Sequence, residues 1–439
     1  EIAEKETMPR YSEYKDSGVE WTGGIPVRWT IAPLKRFILR NDGGVWNEKI
    51  NENGVKVFRS TEIDINGNWN NHEPIKLELN LIDFNKSSLI KGDLLITKSS
   101  GSPEHIGKTA LYHSNEKACY SNFMQRIRLN KNNNPKFFHY LLNANFSKFQ
   151  FTYLTKSTSG LGNLNGEILN NLISISPPLP EQTAIANFLD RKTAQIDRAI
   201  AQKEKLIALL QERKQILIQE LVTGKRVWNE EAQAWTRPAR TKDSGVAWIG
   251  EIPENWELLP NKYVFKLKKN LVGKKSSNYK LLSLTLKGVV VRDLDNGGKF
   301  PAEFDTYQEV KKDDFIFCLF DVEETPRCIG FSDFEGMITG AYTVMEVNPK
   351  FNKKYVFYFY LNLDTGKRMR PLYTGLRNTI TKDNFFAFKT FIPTPAQQTA
   401  IAAFLDDKSA KTDQAITLQQ TKIQKLKEYK TTLIDHAVT

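Results

Sequence analysis

The chain contains two phrases that are each written twice, in the same order. Phrase A reads KDSGVEWTGGIPVRW at residues 15–29 and KDSGVAWIGEIPENW at 242–256. Phrase B reads QTAIANFLD at 182–190 and QTAIAAFLD at 398–406. A dissimilar stretch separates A from B in each copy, so the chain consists of two copies of one unit. The repeat predicts two related folded units, and function is expected where the copies differ.

Composition narrows the class of protein. The chain has 439 residues and a formal net charge of +12. That length suits two to four domains, and the positive charge favours a polyanionic partner, nucleic acid above all. A basic soluble protein without such a partner is the alternative. Three scattered cysteines fit a reducing cytoplasm and argue against a disulfide framework.

Several classes of protein are not expected because their patterns are missing. No run of eighteen apolar residues is present, and the opening EIAEKETMPR has no apolar stretch, so neither a membrane span nor a secretion signal is predicted. Residues 101–109 resemble a phosphate-binding loop, but five residues separate the glycines where four are needed, and Pro103 removes one N–H. The five histidines show no metal-site spacing. These observations predict a protein that is not an enzyme.

Phrase B is predicted to open a long helix in each copy. Prolines precede it, and the stretches 181–223 and 396–439 contain neither Gly nor Pro. About forty residues at 1.5 Å each give a rod of roughly 60 Å. Its apolar residues repeat at heptad spacing, which predicts a coiled-coil seam interrupted at Thr412 and Gln419. The predicted seam residues are Leu189, Ile196, Ile200, Ile207, Leu210, Leu217, Leu221, Leu405, Ile416, Ile423, Leu426 and Leu433.

The remaining stretches predict compact α+β domains. Short apolar runs at 93–97, 125–129, 315–319 and 342–347 alternate with turns and predict strands, whereas 137–143 and 355–362 predict short helices. Residues 134–137 and 348–351 both read Asn-Pro-Lys-Phe, which suggests equivalent turns before a helix. Phrase A has turn chemistry and two tryptophans per copy, so it is interpreted as a clip that holds the start of each domain. These tryptophans are Trp21 and Trp29, and Trp248 and Trp256.

Three features resemble the specificity subunit of type I restriction–modification systems over essentially the whole chain: the order of the phrases, the pattern KDSG-x-x-W-x-G-x-IP-x-x-W, and the helix start Q-T-A-I-A-x-F-L-D, which copy two precedes with P-x-x. The resemblance implies two α+β target-recognition domains, joined by two long antiparallel helices and related by an internal pseudo-two-fold repeat. It divides the chain into N-terminal conserved segment 1–29, first recognition domain 30–176, central helix 177–225, connector with the second phrase A 226–256, second recognition domain 257–391 and distal helix 392–439.

The resemblance also implies the function and the partners. Each domain would read one half of an asymmetric, bipartite sequence in double-stranded DNA, and the helices would set the spacing. Two methyltransferase subunits, which hold S-adenosylmethionine, would dock on the conserved regions, and restriction/translocase subunits would join for cleavage. The chain itself would bind no cofactor or metal, do no chemistry and act in the cytoplasm, away from membranes. The alternative is a coiled-coil scaffold whose paired domains bind protein or RNA.

Contacts to DNA require cations for phosphates and forked donors or acceptors for base edges. The variable stretches supply such residues in turn-rich segments, although a solvated surface role is the alternative for each. The predicted DNA-binding residues are Lys98, Ser99, Ser100, Lys108, Asn122, Gln125, Arg126, Lys156, Asn163, Lys268, Lys269, Lys274, Lys275, Arg327, Arg368, Arg370, Arg377, Asn378 and Lys382.

Overall fold

The computed structural model describes residues 11–19, 22–47, 49–155, 163–246, 249–292 and 303–439. The chain divides into two compact units. Unit 1 comprises Glu1–Lys203 with Thr421–Thr439, and unit 2 comprises Glu204–Gln420. Each unit therefore contains the first part of one long helix and the last part of the other.

Unit 1 combines small, mostly antiparallel sheets with helices. Its strands are β1 (Tyr14–Asp16), β2 (Gly24–Pro26), β3 (Thr30–Pro33), β4 (Ile38–Gly43), β5 (Ile50–Phe58), β6 (Ile75–Leu77), β7 (Leu94–Thr97), β8 (Thr109–Leu111), β9 (Ala118–Tyr120), β10 (Met124–Leu129) and β11 (Ile173–Ser176). Its helices are α1 (Leu81–Ser87), α2 (Pro135–Asn143), α3 (Asn145–Thr155), α4 (Gly166–Asn171) and the long α5 (Leu179–Val222), which continues into unit 2.

Unit 2 repeats this mixture. Its strands are β12 (Val227–Asn229), β13 (Ala234–Thr236), β14 (Thr241–Asp243), β15 (Glu251–Pro253), β16 (Glu257–Pro260), β17 (Phe265–Leu267), β18 (Leu282–Thr285), β19 (Gly288–Val291), β20 (Gln308–Val310), β21 (Phe315–Phe317), β22 (Ile329–Phe331), β23 (Gly336–Ile338), β24 (Thr343–Val347), β25 (Tyr373–Thr374), β26 (Thr379–Ile380) and β27 (Lys389–Ile392). Its helices are α6 (Asn261–Val264), α7 (Lys353–Thr365), α8 (Lys382–Ala387) and the long α9 (Pro395–Val438), which ends in unit 1.

The two units share one sheet topology. The central sheet of unit 1 has the order β4-β10-β7-β8, and that of unit 2 has the order β17-β24-β21-β22. In both sheets the first strand in chain order lies at one side, followed by the fourth, the second and the third. The apolar runs that predicted strands supply the centres of both sheets, where β7 and β21 are completely buried. The predicted fold class is confirmed: two α+β domains are joined by long helices. The six segment boundaries given above stay predictions.

The long helices pair in antiparallel fashion within each unit. In unit 1 the Lys430 Nζ lies 2.7 Å from a carboxylate oxygen of Asp197, and in unit 2 the Lys214 Nζ lies 2.7 Å from one of Asp413. The residue numbers of both pairs add to the same total, so both units use the same antiparallel register.

All the predicted seam residues are buried or half-buried. Seven of them, Leu189, Ile196, Ile200, Leu221, Leu405, Ile416 and Ile423, are buried. The other five, Ile207, Leu210, Leu217, Leu426 and Leu433, are half-buried. Thr412 and Gln419, at the predicted interruptions, are half-buried too, so polar side chains continue the stripe there.

Phrase A forms a hairpin in each copy, β1 with β2 and β14 with β15, and its last tryptophan is fastened to the start of a long helix. The Trp29 Nε1 donates to the Glu181 Oε1 at 2.9 Å, and the Trp256 Nε1 donates to the Gln397 Oε1 at 3.0 Å. Both rings are buried. The structure thus shows the predicted clip for these two residues, while Trp21 and Trp248 lie outside the described residues.

The two Asn-Pro-Lys-Phe segments, 134–137 and 348–351, do not occupy equivalent positions in the two units. The structural counterpart of Asn134 lies four residues after Asn348. The buried amide of Gln182 accepts a hydrogen bond from the Asn134 N–H, which caps α2. Its counterpart Gln398 accepts from the Asn352 N–H, which caps α7, and not from Asn348. Asn134 therefore corresponds to Asn352, and the suggested equivalence of 134–137 with 348–351 is wrong.

Candidate nucleic-acid interface

The loops that carry most of the polar candidates leave unit 1 at one edge of its central sheet. Strands β4 and β7 are both antiparallel to β10, so they point the same way and end at the same edge. The Lys98 N–H donates to the Phe123 carbonyl at 3.1 Å, which joins the loop after β7 to the turn before β10. We call Lys98, Ser99, Ser100, Asn122, Gln125 and Asn163 the unit 1 edge.

Amide groups organise the unit 1 edge. The Gln125 Nε2 donates to the Asn41 Oδ1 at 2.6 Å, and the Asn41 Nδ2 donates to the Asn170 Oδ1 at 2.8 Å. Ser99 forms a β-bridge with Asn163. Asn122 and Asn163 are exposed, whereas Gln125 is nearly buried. Lysine, hydroxyl and amide groups gathered in this way can bind phosphates and base edges.

Unit 2 presents a different chemistry at the equivalent edge. The loop after β21 is joined to the hairpin formed by β25 and β26, because the Asp321 N–H donates to the Arg377 carbonyl at 2.9 Å. The Arg377 guanidinium pairs with the Asp321 carboxylate, and that of Arg370 pairs with Glu323. These hydrogen bonds lower the pKa of both carboxyls, so the acids remain ionised partners. The Asn378 Nδ2 donates to a Glu324 carboxylate oxygen at 2.9 Å.

Two further arginines of unit 2 lie deeper. Arg327 pairs with the buried Asp364 at 3.4 Å. The Arg368 guanidinium donates to the Asn362 Oδ1 at 2.8 Å and to the Gln219 Oε1 at 2.7 Å, and burial lowers its pKa. Both line a cavity of about 580 Å³ beside α5. Their positions are fixed by the fold, and each keeps part of its surface open.

The remaining candidates are spread out. Lys269 is exposed just beyond β17, and Lys382 is exposed at the first residue of α8. Lys274 and Lys275 lie in an exposed 3₁₀ turn, where Lys274 pairs with Asp305 at 2.8 Å. Lys156 lies outside the described residues.

Two candidates, Lys108 and Arg126, are buried in the interior, and their assignment to DNA contact is wrong. The Lys108 Nζ donates to the carbonyls of Ser60 and Ile63, both at 2.6 Å, and burial lowers its pKa. Arg126 is fully buried, and its guanidinium donates to the Ser88 carbonyl, among others, at 2.6 Å. Lys268 pairs with the buried Asp314. Lys108 and Arg126 therefore bind carbonyls and carboxylates of the fold, whereas Lys268 is half-buried and its DNA contact stays a prediction.

Sequence reasoning missed Asn41, Asp321 and Glu323, the residues that position the candidate readers. The two acids precede their arginine partners by 56 and 47 residues. No local pattern connects positions that far apart. Asn41 lies on β4, whose sequence ILRNDG has no apolar–polar alternation that would predict a strand.

The described residues show neither a metal-binding cluster nor a membrane-spanning helix. No group of three or more His, Cys, Asp or Glu side chains in this part of the chain is placed to hold a metal ion. No helix within the same residues is long and apolar enough to cross a bilayer.

Comparison with known proteins shows what the chain is similar to. Residues 27–209 match the family model for the type I restriction modification DNA specificity domain. A stretch of 267 residues is 31% identical to a putative type I restriction enzyme MjaX specificity subunit from Methanocaldococcus jannaschii. The chain is similar to type I restriction–modification specificity subunits. That alignment covers 58% of this chain and 57% of the relative, so the chain spans about half the length of this curated relative.

Other type I specificity subunits are more distant in sequence. The EcoKI specificity subunit of Escherichia coli is 25% identical over 155 residues, which cover 34% of this chain and 33% of that subunit. A chain solved in work on complex assembly and conformational transition of the type I R-M system superimposes with a TM-score of 0.64, at 14% identity, over 94% of this chain and 98% of that chain. The HsdS subunit from Thermoanaerobacter tengcongensis gives 0.51 at 13% identity, over 94% and 97%. At such identities the structures show a shared fold.

Proposed function

We propose that the chain is the DNA-reading subunit of a type I restriction–modification complex, and that each unit reads one half of an asymmetric, bipartite target. The observation that carries this proposal is a contrast between two parts of each unit. One is the frame, meaning the phrase A hairpin, the central sheet and the long helices, and the other is the edge, meaning the loops at one end of that sheet. The two frames repeat equivalent hydrogen bonds, such as those that Gln182 and Gln398 accept, whereas the edges differ in chemistry. Amides and Lys98 dominate one edge, and arginine–carboxylate pairs dominate the other. Edges with different donors and acceptors select different base pairs.

The proposed partners follow from the family. Two methyltransferase subunits would supply S-adenosylmethionine and the methyl transfer, and restriction/translocase subunits would supply cleavage. This chain would position them on the target and contribute no catalytic group. The cysteines Cys119, Cys318 and Cys328 are free and buried, which suits a reducing cytoplasm.

Methylation mapping tests the proposal directly. A host that carries the chain with its methyltransferase subunits should acquire methylated adenines within one asymmetric motif of two words and an unread spacer. Exchange of residues 30–176 for the domain of another family member should change one word only. A single undivided or symmetric motif, or a change in both words after the exchange, would refute the assignment of one word to each unit.

A coiled-coil scaffold for protein or RNA is less well supported, because the matched family model is a DNA specificity domain. Gel shifts of the reconstituted complex separate the two functions. The DNA-reading function requires that a duplex containing the mapped motif outcompete both scrambled duplex and RNA of the same length. Equal competition by RNA would favour the scaffold.

A further inference from the structure

The hairpin at residues 373–380 of unit 2 is fastened to the loop after β21 as one rigid element. Besides the bond from the Asp321 N–H, the Val322 N–H donates to the Asn378 carbonyl at 3.3 Å. Asp321 and Asn378 both adopt left-handed backbone conformations, with φ of 46° and 44°. Residues other than glycine adopt the left-handed backbone conformation at a cost in conformational energy. Residues in this conformation are concentrated at sites where a protein holds groups for a ligand. The tip residue Leu376 is fully exposed.

Arg377 projects from this hairpin and Arg370 from the 3₁₀ turn just before it. Each is held by a carboxylate along the same side of its guanidinium. The Arg377 Nε donates to the Asp321 Oδ1 at 2.9 Å, and its Nη2 donates to the other oxygen. The Arg370 Nε donates to the Glu323 Oε2 at 2.9 Å, and its Nη2 again completes the pair. Their side chains remain 70% and 65% exposed. Neither Nη1 donates to any of the residues that the structure describes.

The Arg377 guanidinium has a further restraint. Its central carbon lies 5.9 Å from the centroid of the Phe320 ring. A guanidinium that is paired along one side and packed against a ring has few rotamers left, so little conformational entropy is lost when it meets a ligand.

The carboxylates decide between the two kinds of DNA contact. A contact to phosphate gains from net positive charge, and each arginine–carboxylate pair has almost none. Asp321 and Glu323 would also repel a nearby phosphate. A base edge instead requires donors in a fixed direction, and the open Nη1 and Nη2 hydrogens offer two of them. The acceptors O6 and N7 of guanine, in the major groove, match such a fork.

We propose that Arg370 and Arg377 read guanines in the half-site of unit 2, and that Glu323 and Asp321 act as positioning residues. This inference rests on the proposed function and names the side chains that carry out its specificity in unit 2. It predicts G·C pairs at two positions of that half-site.

Substitution by lysine tests the proposal, because lysine keeps the charge and loses the fork. The complex of the full chain with its methyltransferase subunits is assayed on the mapped target and on duplexes with each base pair changed. R377K and R370K should each reduce discrimination at one G·C pair of the second half-site, by about 5- to 150-fold, while the first half-site is unchanged. D321N should reduce discrimination at the same position as R377K without weakening binding to nonspecific DNA.

The matched control is R240K. Arg240 is another exposed arginine near a carboxylate, at 3.9 Å from Glu254, but it lies beside the phrase A hairpin and not on the edge. Its substitution should leave the base preference as in wild type. Retention of the wild-type preference by both R370K and R377K would overturn the proposal, as would an equal loss on all sequences. Both tests require that the wild-type complex prefers its mapped DNA sequence. A wild-type complex without any sequence preference would refute the proposed function itself and not only the role of the two arginines.

Discussion

The substitution Gly224→Ala tests how the end of α5 is fitted to the second phrase A hairpin. The helix ends at Val222, and Gly224 turns the chain with a φ of +72°. A Cβ at this position would lie 2.2 Å from the Pro253 Cδ and 2.8 Å from its Cγ. Pro253 ends β15, and Trp256, three residues later, is completely buried. The proline ring cannot rotate away, so the added methyl group must displace the hairpin or the helix end.

Two contributions lower the stability of the Gly224→Ala variant, and they add. A non-glycine residue in the left-handed region costs about 1–2 kcal/mol, and overpacking at a rigid contact costs about 1–3 kcal/mol. The free energy of unfolding of unit 2 should therefore fall by about 2–5 kcal/mol. Gly245→Ala is the matched control, because Gly245 has a φ of +69° and no atom within 4 Å of the point that a Cβ would occupy. That control carries only the first cost.

Thermal unfolding of the full chain, followed by circular dichroism, measures the difference. For a unit of this size each kcal/mol lowers the Tm by roughly 2–4 °C. Gly224→Ala should thus melt about 2–12 °C below Gly245→Ala in the transition of unit 2. Equal melting temperatures for the two variants would refute the tight fit of Gly224 against Pro253, since backbone strain is common to both.

Three other substitutions probe the frame and its interior. Gln398→Leu should lower the free energy of unfolding by about 2–4 kcal/mol in a denaturant titration, because it leaves two buried backbone groups unpaired. Lys214→Glu should cost about 1 kcal/mol or less, and the second change Asp413→Lys should recover it; a double variant weaker than the single one would contradict the antiparallel pairing in unit 2. Arg126→Met should destabilise unit 1 by about 3 kcal/mol yet leave the methylated motif unchanged, and a changed motif would restore Arg126 as a DNA contact.

The frame was predictable because its signals are local. Heptad spacing placed the seams of α5 and α9, prolines marked the starts of both helices, and apolar runs marked β7 and β21. Each signal depends on residues within one or two turns of helix, or within one strand, so a single sequence contains it. Phrase identity then showed that the frame occurs twice.

The candidate readers were less predictable, because exposure depends on tertiary partners. Gln125 and Arg126 are neighbours on β10, and successive side chains of a strand point to opposite faces. Both were predicted to contact DNA, although that rule alone makes a shared surface improbable. Arg377 shows the opposite difficulty: its direction is set by Asp321, which no local pattern connects to it.

Equivalent hydrogen bonds identify the positions at which the two copies diverge. The Leu164 N–H donates to the Lys98 carbonyl, and the Ile380 N–H donates to the Leu319 carbonyl, both at 2.8 Å. The frame therefore aligns Lys98, the first residue after β7, with Leu319, the second residue after β21. From this point a lysine and two serines begin one loop, whereas an apolar pair and then Asp321 begin the other. Since the backbone is held alike while the first side chains change from cationic to apolar and acidic, we expect the two edges to prefer different base pairs, as the proposed asymmetric target requires.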